Sequence, residues 1–110
     1  MPIQKTSFPA RELAALGIKN VSYSFASAGM PEEMATKYAS QAMRALSKLF
    51  CLPADAVTVK FKERLPGAAP FALTCYRGKS SVEVAVVLAA KRVLPGLRAC
   101  QAKAQRLAKV

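Results

Sequence analysis

A chain of 110 residues has room for one domain and one core, and a composition that is 53% hydrophobic and 21% charged excludes disorder over most of its length. Seventeen Lys and Arg against six Asp and Glu give a net charge of +11, which self-repels unless an anionic partner offsets it. The partner classes left are nucleic acid, an anionic membrane surface and an acidic protein, and phosphate neutralisation is the commonest for a domain of this size.

Residues 1–19 hold two prolines and a short apolar patch at Leu13, Ala14 and Leu16, closed by Gly17. They read as an N-terminal arm with one helical turn, free to pack on a partner. Val21, Tyr23 and Phe25 alternate with Ser22 and Ser24, the period of a half-buried strand. Ala28-Gly29-Met30-Pro31 breaks it. Pro31 suits the first helical position, and Glu32 and Glu33 complement the positive end of a helix dipole. Along that helix Met34, Tyr38, Ala42, Ala45, Leu46 and Leu49 recur at three- and four-residue spacing, while Lys37, Gln41, Arg44 and Lys48 mark a basic face.

Leu52-Pro53-Ala54-Asp55 ends the helix. Val57, Val59 and Phe61 then alternate with Thr58, Lys60 and Lys62 as a second strand, making a parallel crossover with the first. After a Pro-Gly loop, Phe71–Tyr76 and Ser81–Val86 flank Arg77-Gly78-Lys79-Ser80, the pattern of an antiparallel hairpin. Val86 to Leu94 is helical in pattern, Pro95-Gly96 interrupts it, and Leu97 to Val110 resumes as an Ala-rich helix. From residue 84 onward the chain carries Lys91, Arg92, Arg98, Lys103, Arg106 and Lys109 and no acid. The domain reading is therefore an arm over 1–19, an α/β domain over 20–95, and a basic C-terminal helical extension over 96–110.

Catalytic chemistry finds little to use. The chain has no histidine, the commonest acid–base group at neutral pH. Glu32 and Glu33 are explained by the helix start and Glu83 by the exposed face of a strand. Cys51, Cys75 and Cys100 are odd in number and form no CxxC pair, so neither a disulfide framework nor a zinc site is indicated. Cys51 and Cys75 are expected to be buried structural thiols, and Cys100 a spare thiol on a helix face. No cofactor, metal or small-molecule substrate is expected. The longest apolar run, Val84 to Ala90, is too short to cross a bilayer, and residues 1–20 lack a secretory core. The basic, acid-poor opening, with Lys5, Arg11 and Lys19, permits organelle import.

What remains is basic charge in three places: Lys37, Arg44 and Lys48 on the first helix; Lys60 and Lys62, followed by Arg64, on the second strand; and Lys91, Arg92, Arg98, Lys103, Arg106 and Lys109 at the C-terminal end. Together, with so few acids between them, they point to phosphate contact. Tyr23, Phe25, Phe61 and Phe71 fall at inward-looking positions, so recognition by shape and backbone charge is expected rather than base stacking.

The order strand, helix, strand, hairpin, helix, preceded by Leu16-Gly17-Ile18-Lys19-Asn20-Val21, resembles the small thioredoxin-like domain shared by several mitochondrial ribosomal proteins and an accessory subunit of respiratory complex I. Pro70-Phe71-Ala72-Leu73-Thr74-Cys75-Tyr76-Arg77-Gly78 is similar to that family's Pro-started strand ending in an aromatic and a tight Gly turn. The chain departs from the family in having no Cys or paired basic residues directly after the first strand, and a longer first helix. The resemblance implies a thioredoxin-like β-α-β-β-α fold without a redox motif: a mixed four-stranded sheet with helices packed on it. It also implies a non-enzymatic ribosomal role in the mitochondrial matrix, with rRNA and neighbouring ribosomal proteins as partners. The charge favours the large-subunit type over the complex I subunit. A second resemblance, of Met1-Pro2-Ile3 and the run Leu49 to Phe61 to tautomerase-superfamily proteins, implies an enzyme with Pro2 as base. That chemistry requires Pro2 at the start of a buried strand, and Pro9, Glu12 and Gly17 precede the first strand pattern here.

Overall fold

The computed structural model describes residues 8–108 and contains α1 (Phe8–Ala15), β1 (Asn20–Ala26), α2 (Glu32–Phe50), β2 (Val57–Lys62), β3 (Phe71–Arg77), β4 (Ser80–Ser81), α3 (Glu83–Arg92) and α4 (Leu94–Ala108). The four strands form one mixed sheet in the order β2-β1-β3-β4. β1 and β2 run parallel, as a helical crossover requires, while β3 lies antiparallel to β1 and β4 antiparallel to β3.

Period-two alternation gives the sheet two unlike sides. Val21 pairs with Val57 and Cys75, Tyr23 with Val59 and Leu73, and Phe25 with Phe61 and Phe71, so every apolar row lands on one side. Onto that side the helices bring Leu13, Tyr38, Leu46, Ala85, Ala89, Leu94 and Leu97, forming one core. Phe25 lies edge-on to Tyr38, with ring centroids 4.4 Å apart at 85°, and is 5.5 Å from Phe61. The aromatics thus occupy the covered side, as the alternation predicts.

The hairpin's second strand differs from its pattern. β4 ends at Ser81, and Glu83 opens α3 where the sequence pattern extends a strand to Val86. Val82, Val84 and Val86 satisfy a strand period, but Val82, Ala85, Val86 and Ala89 equally satisfy a helical one. Helix wins because it buries Ala85 and Ala89 in the core beside β3, which a continued edge strand would not do. Glu83 accordingly sits in the first turn of a helix and not on a strand face.

The two ends of the chain also join the core. Leu13 is 1% exposed, packed in the domain's own interior rather than presented to a partner. Arg77 Nε donates to the Leu16 carbonyl at 2.8 Å and the Lys19 amide to Tyr76 at 2.8 Å, which anchors the segment after α1 to the end of β3. Gly17, at φ +70, makes the turn between them. At the other end, Pro95 falls in the first turn of α4, where a missing amide costs nothing, so α4 starts at Leu94 instead of after the Pro-Gly pair. Leu94, Leu97, Gln101 and Ala104 are all buried, so residues 96–107 form part of the domain layer.

Candidate nucleic-acid interface

Ten of the eleven candidate phosphate-binding side chains lie among the described residues, and all ten are exposed: Lys37, Arg44, Lys48, Lys60, Lys62, Lys91, Arg92, Arg98, Lys103 and Arg106. Lys109 lies outside the described residues. The fold divides the ten instead of gathering them.

Lys60 and Lys62 stand on the side of the sheet away from the core. There Ser24 is flanked by Lys60 and Ala72, Ser22 by Thr58 and Thr74, and Ala26 by Lys62. The result is a surface of hydroxyls with two ammonium groups on an edge strand, none of whose members belongs to the core. Sequence reasoning singled out the two lysines and passed over the hydroxyls. The alternation of Ser22 and Ser24 was the available signal, but the pairing that sets them beside Thr58 and Thr74 exists only in the sheet.

The remaining cations belong to the helical layer. Lys37 and Lys48 on α2 face Lys103 on α4 and Arg92 on α3 across a channel. The C-terminal cluster is split between helices: Lys91 and Arg92 end α3, while on α4 Lys103 borders α2 and Arg98 lies on the opposite flank with its guanidinium 5.7 Å from the Phe71 ring centroid, in cation–π contact. Arg98 and Arg64 also line a cavity of about 410 Å³ beside the ends of β1 and β2, but Glu63 lines it too, so its charge is mixed.

Two glutamines that the sequence pattern left unassigned fix this region. Gln101 is 5% exposed and donates to the Ala26 carbonyl, and Gln105 donates to Ala28 at 2.9 Å, so α4 holds the chain leaving β1. Deeper in the core, Tyr38 donates to the Leu97 carbonyl at 2.7 Å and its oxygen lies 2.9 Å from the Tyr23 hydroxyl. With the Tyr38 proton committed to Leu97, Tyr23 must donate to Tyr38. Burial is the main cause of the raised pKa of both phenols.

The thiols separate by place. Cys75 is fully buried, and desolvation pushes it up to about 11, which makes it inert at neutral pH. Cys51 is exposed, contrary to the expectation of burial: it is the C-cap of α2 at φ 56, turning the chain so that its side chain leaves the helix's apolar face. Cys100 is half-buried and accepts a weak hydrogen bond from Gln41 at 3.6 Å. Among the described residues, no three His, Cys, Asp or Glu side chains converge to hold a metal ion, and no helix is long and apolar enough to cross a membrane.

The fold and surface define an α/β protein with helices on one side of a mixed four-stranded sheet and exposed cations on both. Comparison with protein-family models, curated proteins and solved structures finds no match.

Proposed function

We propose that this protein is a structural, non-catalytic component of the mitochondrial ribosome, of large-subunit type, acting in the matrix. In this reading it has a thioredoxin-like domain and contacts rRNA phosphates and neighbouring ribosomal proteins. The observation that carries the proposal is that ten basic side chains stand exposed on the folded part of a chain of net charge +11. The order strand, helix, strand, hairpin, helix, with its first pair parallel, supports the thioredoxin-like reading. The two-residue β4 and the helix before β1 are differences within it. Lys60 and Lys62, with the hydroxyls of Ser24 and Thr58 beside them, are the phosphate ligands of the sheet side, and exposed Arg44 and Arg106 those of the helical layer. Backbone contact of this kind positions a protein on RNA without reading bases.

Sedimentation of the tagged chain from a mitochondrial extract tests the assembly: it should travel with ribosomal particles and be released by salt. Salt-resistant fractionation with the inner membrane would overturn the ribosomal reading in favour of a respiratory-complex subunit. For the purified protein and a structured RNA hairpin, affinity should fall steeply with salt. The double substitution Lys60→Glu/Lys62→Glu should lower the slope of log affinity against log salt by about 2, leaving the circular dichroism spectrum unchanged.

A further inference from the structure

We infer that the channel between α2 and α4 is the docking site for an acidic amphipathic helix of a partner protein. The inference goes beyond the RNA reading, concerns a different surface, and stands on the lining of the channel alone.

Two adjoining cavities, of about 280 and 600 Å³, follow one another along α2 and meet at Gln41 and Cys100, whose weak hydrogen bond spans the groove where the two compartments join. Along α2 it runs from Met34 to Lys48, about 21 Å at the rise of an α-helix. Its floor is apolar: Leu49, Leu97 and Ala104 are buried there, and Val93 and Cys100 half-buried. Its rim is cationic, with Lys37 and Lys48 on one bank, Lys103 and Arg92 on the other, all exposed, and no carboxylate among the lining residues. At one end Leu107 is 56% exposed, a large apolar side chain that the domain leaves uncovered. At the other, Gly96 lines the wall, and a Cβ built on it meets no atom within 4 Å.

Charge and polarity together select the occupant. Phosphates would answer the rim but gain nothing from a floor of Leu, Val and Ala side chains. An uncharged apolar helix would answer the floor and leave four cations desolvated without partners. A helix with an apolar stripe at i, i+3, i+4 and i+7 and carboxylates on either flank satisfies both, in the helix-in-groove mode, and about fourteen residues fill the length.

The test uses the full chain and a fluorescent, end-capped helical peptide of about fourteen residues, with Leu on one stripe and Glu on both flanks. Controls are a peptide with Lys in place of Glu, a scrambled peptide of equal composition, and an RNA hairpin. Among the peptides, anisotropy should show binding of the Leu/Glu one only, with amide chemical-shift changes confined to α2, α4 and the end of α3, while the hairpin shifts amides outside the groove. Lys48→Glu/Lys103→Glu should weaken it at least tenfold, and Leu107→Asp and Gly96→Leu should each weaken it several-fold. Lys60→Glu/Lys62→Glu should leave it unaltered, and every variant should keep its circular dichroism spectrum. No binding by the Leu/Glu peptide, equal binding by the scrambled one, or an RNA footprint in the groove would overturn the inference. Peptide binding without any RNA binding would overturn the ribosomal reading and leave this one standing.

Discussion

Tyr38 carries the most consequential single side chain in the core. Its hydroxyl accepts from Tyr23 and donates to Leu97, joining β1, α2 and α4 where both rings are nearly inaccessible. Removing it by Tyr38→Phe strands the buried Tyr23 hydroxyl without an acceptor. Urea unfolding should show a loss of about 1–3 kcal/mol. Tyr23→Phe removes only a donor, leaves the bond to Leu97 intact, and should cost less, about 0.5–1.5 kcal/mol. The double substitution leaves no stranded hydroxyl, so its cost should fall below the sum of the two. A double cost equal to or above that sum would contradict the hydrogen bond between the two hydroxyls, and a larger loss for Tyr23→Phe than for Tyr38→Phe would contradict its assigned direction. The sequence places both tyrosines inside by periodicity, but their meeting depends on α2 crossing β1 and on α4 returning over α2.

At the scale of elements, the termination of α2 is the feature most open to improvement. Cys51 occupies a left-handed conformation at φ 56, and the amides of Cys51 and Leu52 turn back to the carbonyls of Lys48 and Ser47. A residue with a Cβ is strained in this position and glycine is not. Cys51→Gly should therefore raise stability by about 0.5–1 kcal/mol, seen as an upward shift in the urea midpoint without a change in slope. An unchanged or lower midpoint would count against the left-handed cap. For α2, nineteen residues of unbroken three- and four-residue spacing leave one reading, and the element is legible to within a residue or two. For α3, ten residues dense in Val and Ala satisfy two periods at once, and the choice falls to whichever buries more surface against β3. The turn between β3 and β4 was legible for a different reason: Gly78 at φ 71 supplies a backbone conformation that a two-residue hairpin loop demands.

For the molecule as a whole, the buried acids set an alkaline limit. Cys75 has an ordinary pKa of 9.0 and is raised to about 11 by burial, and Tyr23 and Tyr38 are likewise raised. The unfolded chain therefore gives up protons that the folded one retains. Stability is full below about pH 9 and declines above it, by about 1.4 kcal/mol per pH unit for each group that ionises only when unfolded. Measured by urea unfolding between pH 8 and 10.5 in high salt, which screens the repulsion among the surface cations, the slope should be negative and shallower for Cys75→Ala. A flat profile would be inconsistent with burial of these groups.

The charge balance, the strand–helix–strand order, the apolar faces of α2 and the sheet, and the exposure of the basic side chains all follow from the sequence. Composition and local period are properties that a chain carries before it folds. The tertiary structure alone decided that β4 stops at Ser81, that the residues around Leu13 and Leu97 belong to the core, and how the cations are parted. Lys60 and Lys62 went to an open sheet face and Lys37, Lys48, Arg92 and Lys103 to the rim of an apolar groove. That division depends on which elements become neighbours, and neighbours distant in sequence are chosen by the shared burial of apolar surface, which no local pattern records.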